Sequence, residues 1–101
     1  MSKIAIIAKF TCIDGKRDAL FEGLAPMMDH VGSEDGTLLY QLLADANDDN
    51  AAYMYELYTD QAALDAHSTS DVMKQIMGAF GGILAGRPEL TMATPVRGKG
   101  L

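Results

Sequence analysis

Five consecutive apolar residues, Ile4-Ala5-Ile6-Ile7-Ala8, stand almost at the start of the chain. Strict alternation would mark a strand with one wet face, whereas a continuous run marks a strand covered on both. Lys3–Cys12 therefore reads as a central strand with something packed on each side. The chain has 101 residues, room for one domain spanning 1–101, with a core over about 3–96 and a mobile basic tail at 97–101.

Asp14-Gly15 breaks the first strand, with Asp14 placed to cap a helix. Over Lys16–Val31, the apolar residues Leu20, Phe21, Leu24, Met28 and Val31 recur at helical spacing on one face. Pro26 lies inside this helix, removes a backbone bond and is expected to kink it, at a cost of about 3 kcal/mol unless packing compensates. Gly32-Ser33 ends it. Gly36–Ala44 and Ala52–Tyr58 read as two strands of a hairpin around the acidic turn Asp45–Asn50. Asp60 caps a short helix ending near His67, and Ser68-Thr69-Ser70-Asp71 starts another with Met73, Ile76, Met77, Phe80 and Leu84 on one face. Gly78, Gly81 and Gly82 weaken that helix by about 1 kcal/mol each relative to Ala. Gly86 and Pro88 stop it. Leu90–Val96 is the last strand, with Leu90, Met92 and Val96 as its buried side.

The order β-α-β-β-α-β is the split βαβ, ferredoxin-like arrangement of the α+β class: an antiparallel sheet with its helices on one face and its first and third strands central. Nothing in the chain remains to cover the other face. A domain of this size buries only about 60–70% of its unfolded surface, so a second copy is the expected cover, and the protein reads as a homodimer.

The net charge is −6, with eight basic residues scattered from Lys3 to Lys99. This argues against nucleic acid, which needs a clustered positive surface, and against a strongly anionic substrate. The one cysteine, Cys12, permits no intrachain disulfide and fits a reducing cytoplasm. The apolar run after Met1-Ser2-Lys3 is too short for a secretory leader, and none approaches a membrane span of roughly 20 residues. The expected location is cytoplasmic.

Few side chains carry chemistry. Glu56 sits between Met54 and Tyr58 on one face of an otherwise apolar strand. A carboxylate there must be paired, hydrogen-bonded or protonated, which makes it either a pocket acid or base or a structural anchor. His67, at a helix end, suits proton transfer, since imidazole titrates near neutrality; otherwise it caps its helix or bonds Glu56. Tyr58 either donates to a substrate oxygen or packs at the sheet or dimer interface; Tyr40, Tyr53 and Tyr55 are further strand aromatics expected to pack. Met28, Met73, Met77 and Phe80, with Met54, are core stripes or the walls of a pocket for flat ligands. Arg87 either binds an anionic group or stays in solvent, and His30 is expected to face solvent. One Cys and two distant His give no metal-ligand spacing, and no glycine-rich loop follows a strand.

Three segments carry a resemblance: Glu34-Asp35-Gly36 before the second strand, Tyr55-Glu56-Leu57-Tyr58 in the third, and Asp60-Gln61-Ala62-Ala63-Leu64-Asp65-Ala66-His67 directly after it. Together, across about residues 3–96, they resemble the antibiotic-biosynthesis-monooxygenase family. Its pattern is an acidic residue plus Gly, then Glu-x-Trp or Glu-x-Tyr, then a small-residue helix ending in His. The resemblance implies a ferredoxin-like subunit that pairs through its sheets into a dimeric α/β barrel. Some members oxidise quinols or polyketide aromatics with O2 and no cofactor, some degrade haem, and one branch rearranges a small phosphorylated ketone. Two departures matter. Met54 stands where the polyketide-oxidising branch has Asn, with Tyr58 in place of its Trp. The helix after Ser70 shows Met73 and Met77 where haem degraders need His, which argues against haem.

The leading expectation is therefore cofactor-free oxygenation of a small quinol-like or phenolic substrate by O2. In it His67 is the base, Glu56 orients His67, and Tyr58 donates to the developing oxyanion. A keto-enol isomerase using the same residues, or a non-catalytic small-molecule-binding module, are the alternatives.

Overall fold

The computed structural model describes residues 2–101; Met1, the first residue of the segment read above against a secretory leader, lies outside them. Four strands, β1 (Ile4–Thr11), β2 (Thr37–Ala44), β3 (Ala51–Tyr58) and β4 (Glu89–Ala93), form one antiparallel sheet in the order β2-β3-β1-β4. Helices α1 (Arg17–His30), α2 (Gln61–Ser68) and α3 (Asp71–Ala79) complete the α+β, ferredoxin-like fold, with β1 and β3 central as expected.

Pairing fixes which side chains face the helices. Ile6 lies opposite Glu56, Ala8 opposite Met54 and Phe10 opposite Ala52. These even-numbered positions are buried, and Ala8, Phe10, Ala52 and Met54 join Leu20, Leu24 and Met27 of α1 and Ile76 of α3 in the main core. Phe10 and Phe80 meet edge to face, centroids 6.0 Å apart. On the opposite face Ile7 is 47% exposed. The apolar run at Ile4–Ala8 thus marks one face covered within the chain and one that the chain leaves open.

Several local expectations are corrected. Asp14 does not cap α1. Its carboxylate accepts from the Asn50 side chain, Gly15 turns with φ +79°, and Lys16 holds the N-cap with no side-chain bond. The buried stripe of α1 is Leu20, Leu24 and Met27, and Met28, about 40° round the helix from Leu24, flanks it in a half-buried position against the core. Helix α3 ends at Ala79 rather than running to Leu84. The glycines after it favour a turn, with Gly82 at φ +79°, and Leu84 pairs with Cys12 beyond the end of β1. Strand β4 stops at Ala93, and Leu90 (66%), Met92 (60%) and Val96 (93%) are exposed, because no helix reaches over this edge. The tail returns to the sheet, where the Leu101 carbonyl accepts from Lys3 Nζ. The acidic turn before β3 is held from outside: Arg17 donates to the carbonyls of Asp45, Asp48 and Ala51 at 2.9–3.2 Å. No described helix is long and apolar enough to cross a membrane.

Asp60 caps α2 by accepting from the Ala63 amide at 2.9 Å, and Ser70 caps α3 through the Met73 amide. Gly36 sets how closely α2 approaches β2: a Cβ there would lie 2.5 Å from Ala63 Cβ and 3.2 Å from Thr59 Oγ1. Gly36→Ala is therefore expected to destabilise the fold by about 1–3 kcal/mol. Adding Ala63→Gly should recover part of the loss, less the helix-propensity cost of about 1 kcal/mol. Urea melts of the two single variants and the double variant measure this; additive losses would show that the Gly36–Ala63 contact is not the cause.

Candidate active site

A cavity of about 490 Å³ opens between the sheet and the helices α2 and α3. Its walls are apolar (Ile6, Ala8, Phe10, Leu24, Leu64, Ile76 among them), and its polar lining is Tyr40, Glu56, His67, Ser68 and Arg87. Volume and composition suit a small, largely apolar ligand. Met73, Met77 and Phe80 line it. Met54 and Met28 do not: Met54 is 1% exposed in the main core, and Met28 packs against that core from the side of α1. Arg87 is exposed at the wall of the cavity.

Among the described residues, Glu56 and His67 are the buried members of the Asp, Glu, His, Lys and Arg set, at 8% and 2% exposure. They line the same space, with His67 Nε2 4.0 Å from Glu56 Oε1, too long for a hydrogen bond. The expectation that Glu56 orients His67 is replaced by a different arrangement. His67 Nδ1 lies 2.9 Å from Oε1 of Glu34, 33 residues earlier in the chain, and Nε2 has no partner among the described residues. The rings of Tyr40 and Tyr58 flank the imidazole at centroid distances of 5.1 and 5.3 Å. Nor does His30 simply face solvent: its Nε2 is 3.3 Å from Glu34 Oε2.

The Tyr58 hydroxyl, expected to point at a substrate, instead donates to Glu56 Oε1, and the residue is fully buried outside the cavity wall. Half-buried Tyr40 lines the cavity instead. The β2–β3 register sets it directly opposite Glu56, so both side chains project from the same face into the cavity. Burial, then the nearby Glu56 and Glu34, push the Tyr40 phenol well above its ordinary pKa, so it stays a hydrogen-bond donor.

The two carboxylates diverge. Burial raises the pKa of Glu56, against the opposing pull of the Tyr58 hydrogen bond and His67. Burial also acts on Glu34, but hydrogen bonds from His67 and Thr37 and the charges of the two histidines outweigh it and lower its pKa. Two carboxyls held apart in this way are a common signature of acid–base sites. Among the described residues no three His, Cys, Asp or Glu side chains come together as a metal site.

A ferredoxin-like subunit with an apolar cavity that carries a buried Glu and a buried His defines the class to which this protein belongs. The family model for antibiotic biosynthesis monooxygenase matches residues 3–79, and the chain belongs to that family. Among solved structures it is similar to Rv0793 of Mycobacterium tuberculosis, at 28% identity over 97% of this chain and 99% of that one, with a TM-score of 0.88. It is also similar to a Caulobacter crescentus protein provisionally assigned as an antibiotic biosynthesis monooxygenase (25% identity, 95% and 92% coverage, TM-score 0.89). PA3566 of Pseudomonas aeruginosa, at 24% identity over 96% and 97% of the chains and a TM-score of 0.87, shares the fold. No curated protein matches the sequence significantly.

The opposite pKa shifts predict opposite pH limbs of stability. Glu56 holds its proton in the folded chain to a higher pH than in the unfolded one, so stability falls as pH rises above the ordinary Glu value of about 4.3 toward the folded value. Glu34 contributes stability above that ordinary value, lost as pH falls through its lowered folded value. Urea unfolding from pH 3 to 8 should show the upper decline flattened in Glu56→Gln and the acid decline flattened in Glu34→Gln. Unchanged profiles would remove both assignments.

Proposed function

We propose that this protein is a cofactor-independent monooxygenase that oxidises a small quinol-like or phenolic substrate with O2. The observation that carries the reading is the Glu56–His67 pair set in the wall of an otherwise apolar cavity, with Tyr40 opposite Glu56 on the neighbouring strand and lining the same space. Membership of the monooxygenase family supports it.

The chemistry follows from the groups present. A substrate hydroxyl meets Glu56, whose raised pKa brings it nearer to that of a useful base. His67, 4.0 Å behind it, takes the proton onward. The resulting oxyanion is held by Tyr40, a donor that stays protonated. An electron-rich anion in an apolar, water-poor space can itself reduce O2. One oxygen atom enters the ring, the other leaves as water, and a quinol becomes a hydroxyquinone with no outside reductant. Tyr58 acts on Glu56 rather than on the substrate. Met73, Met77 and Phe80 hold the flat ring.

The working form we propose is a cytoplasmic homodimer, joined through the open sheet face where Ile7 and Leu43 are each 47% exposed. Ile7→Glu is then expected to give a monomer by light scattering; an unchanged mass for the wild type and the variant would remove this interface.

Metal-free protein is expected to consume O2 with a panel of small quinols and naphthols. Glu56→Gln and His67→Ala should each lower kcat by about 10²–10⁴-fold, and Tyr40→Phe by about 10²-fold. Absence of uptake above background across the panel would overturn the oxygenase reading, and turnover of a keto-enol substrate under strict anaerobiosis would replace it with an isomerase.

A further inference from the structure

Glu34 has no part in the reaction outlined above, yet both of its carboxylate oxygens are engaged by neighbouring side chains. Its side chain is 15% exposed, just before β2. Oε1 accepts from Thr37 Oγ1 at 2.7 Å and lies 2.9 Å from His67 Nδ1, while Oε2 faces His30 Nε2 at 3.3 Å. These neighbours hold it ionised against its burial. An ionised carboxylate only accepts hydrogen bonds, so the nitrogen it faces must carry the hydrogen. In the neutral imidazole that leaves Nε2 with a bare lone pair. Nε2 is the atom without a partner among the described residues, and it is turned toward Glu56. The ring is wedged between Tyr40 and the fully buried Tyr58, which opposes its turning over.

We infer that Glu34 is the positioning residue of this site: it fixes His67 as the Nδ1–H tautomer, with Nε2 aimed at Glu56 as a proton acceptor, and stabilises the imidazolium that forms there. The proton that Glu56 takes from the substrate passes to His67 Nε2. The positive charge that then appears on a 2%-exposed ring is balanced by the carboxylate on its far side. The groups facing His67 are Glu34, Glu56, Tyr40 and Tyr58, and His30 faces Glu34 from the end of α1. Glu34 itself does not line the cavity, so its removal should spare substrate binding.

The kinetic part rests on the proposed oxygenase reading, and the tautomer part does not. Long-range proton–nitrogen NMR of the 15N-histidine-labelled full chain, with His30→Gln to assign the two rings, reads the tautomer directly. The expected wild-type pattern for neutral His67 is a protonated Nδ1 and a bare Nε2, shifting toward the Nε2–H form in Glu34→Ala. With an active quinol, Glu34→Ala should lose kcat on the order of 10²-fold at unchanged KM. An Nε2–H ring in the wild type would overturn the inference, and so would an unchanged tautomer in a folded Glu34→Ala chain. The wild-type spectrum decides alone if that variant does not fold. A wild type that shows the expected tautomer and consumes no O2 would sink the oxygenase reading and leave the role of Glu34 standing.

Discussion

A carboxyl group on the helix-facing side of a central strand is the constraint from which the site follows. Register places Glu56 between Ile6 on β1 and Tyr40 on β2, where water is largely excluded. Such a group is costly unless neighbours meet it or it keeps its proton. One oxygen is met by the Tyr58 hydroxyl, two residues along the same strand face. Two residues along a strand is the shortest spacing that returns to the same face, so Glu56-x-Tyr58 is a local solution to a local cost. What remains unmet faces the cavity and His67. The site is the part of this buried polar cluster that the fold does not satisfy by itself.

The rest of the cluster depends on how closely α2 packs. Asp60 starts that helix, and its short length delivers His67 to the cavity wall in its last turn. The helix lies so close to the segment entering β2 that only glycine fits at position 36. That same segment carries Glu34 to the far side of the imidazole. Gly36 and Glu34 in the acidic-plus-glycine pattern are thus two parts of one contact: the glycine lets helix and strand approach, and the carboxylate bonds the histidine that the approach delivers.

The elements and their order were legible because apolar spacing reports burial directly, and the strand pattern Met54-x-Glu56-x-Tyr58 put the right groups on one face. Pairings across long sequence separation were not legible. The link between Glu34 and His67 needs the helix placement, and the choice of Tyr40 over Tyr58 as the cavity phenol needs the β2–β3 register, which shifts between Thr37 and Leu39. The sequence offered four tyrosines on the strands without saying which would be spent on Glu56. The end of α3 was misread because the apolar stripe continues through Phe80 to Leu84 after the backbone has turned. Leu90 and Met92 do lie on the helix-facing side, opposite Ala8 and Ile6, but a side chain on the correct face of an edge strand is buried only if a helix extends over that edge.

Apolar surface therefore remains on two opposite sides of this small sheet, and the two remnants have different uses. Ile7 and Leu43 project from the outer face, beside Tyr55 and Tyr53 of β3, away from every helix. Leu90 projects toward the helices and forms part of the cavity wall with Met77, itself 62% exposed. A second copy laid on the outer face would bury the first set and leave the second at the cavity mouth. Association and ligand entry then use separate surfaces. Strand β1 serves both surfaces through alternate residues, with Ile7 pointing out and Ile6 and Ala8 forming the cavity wall.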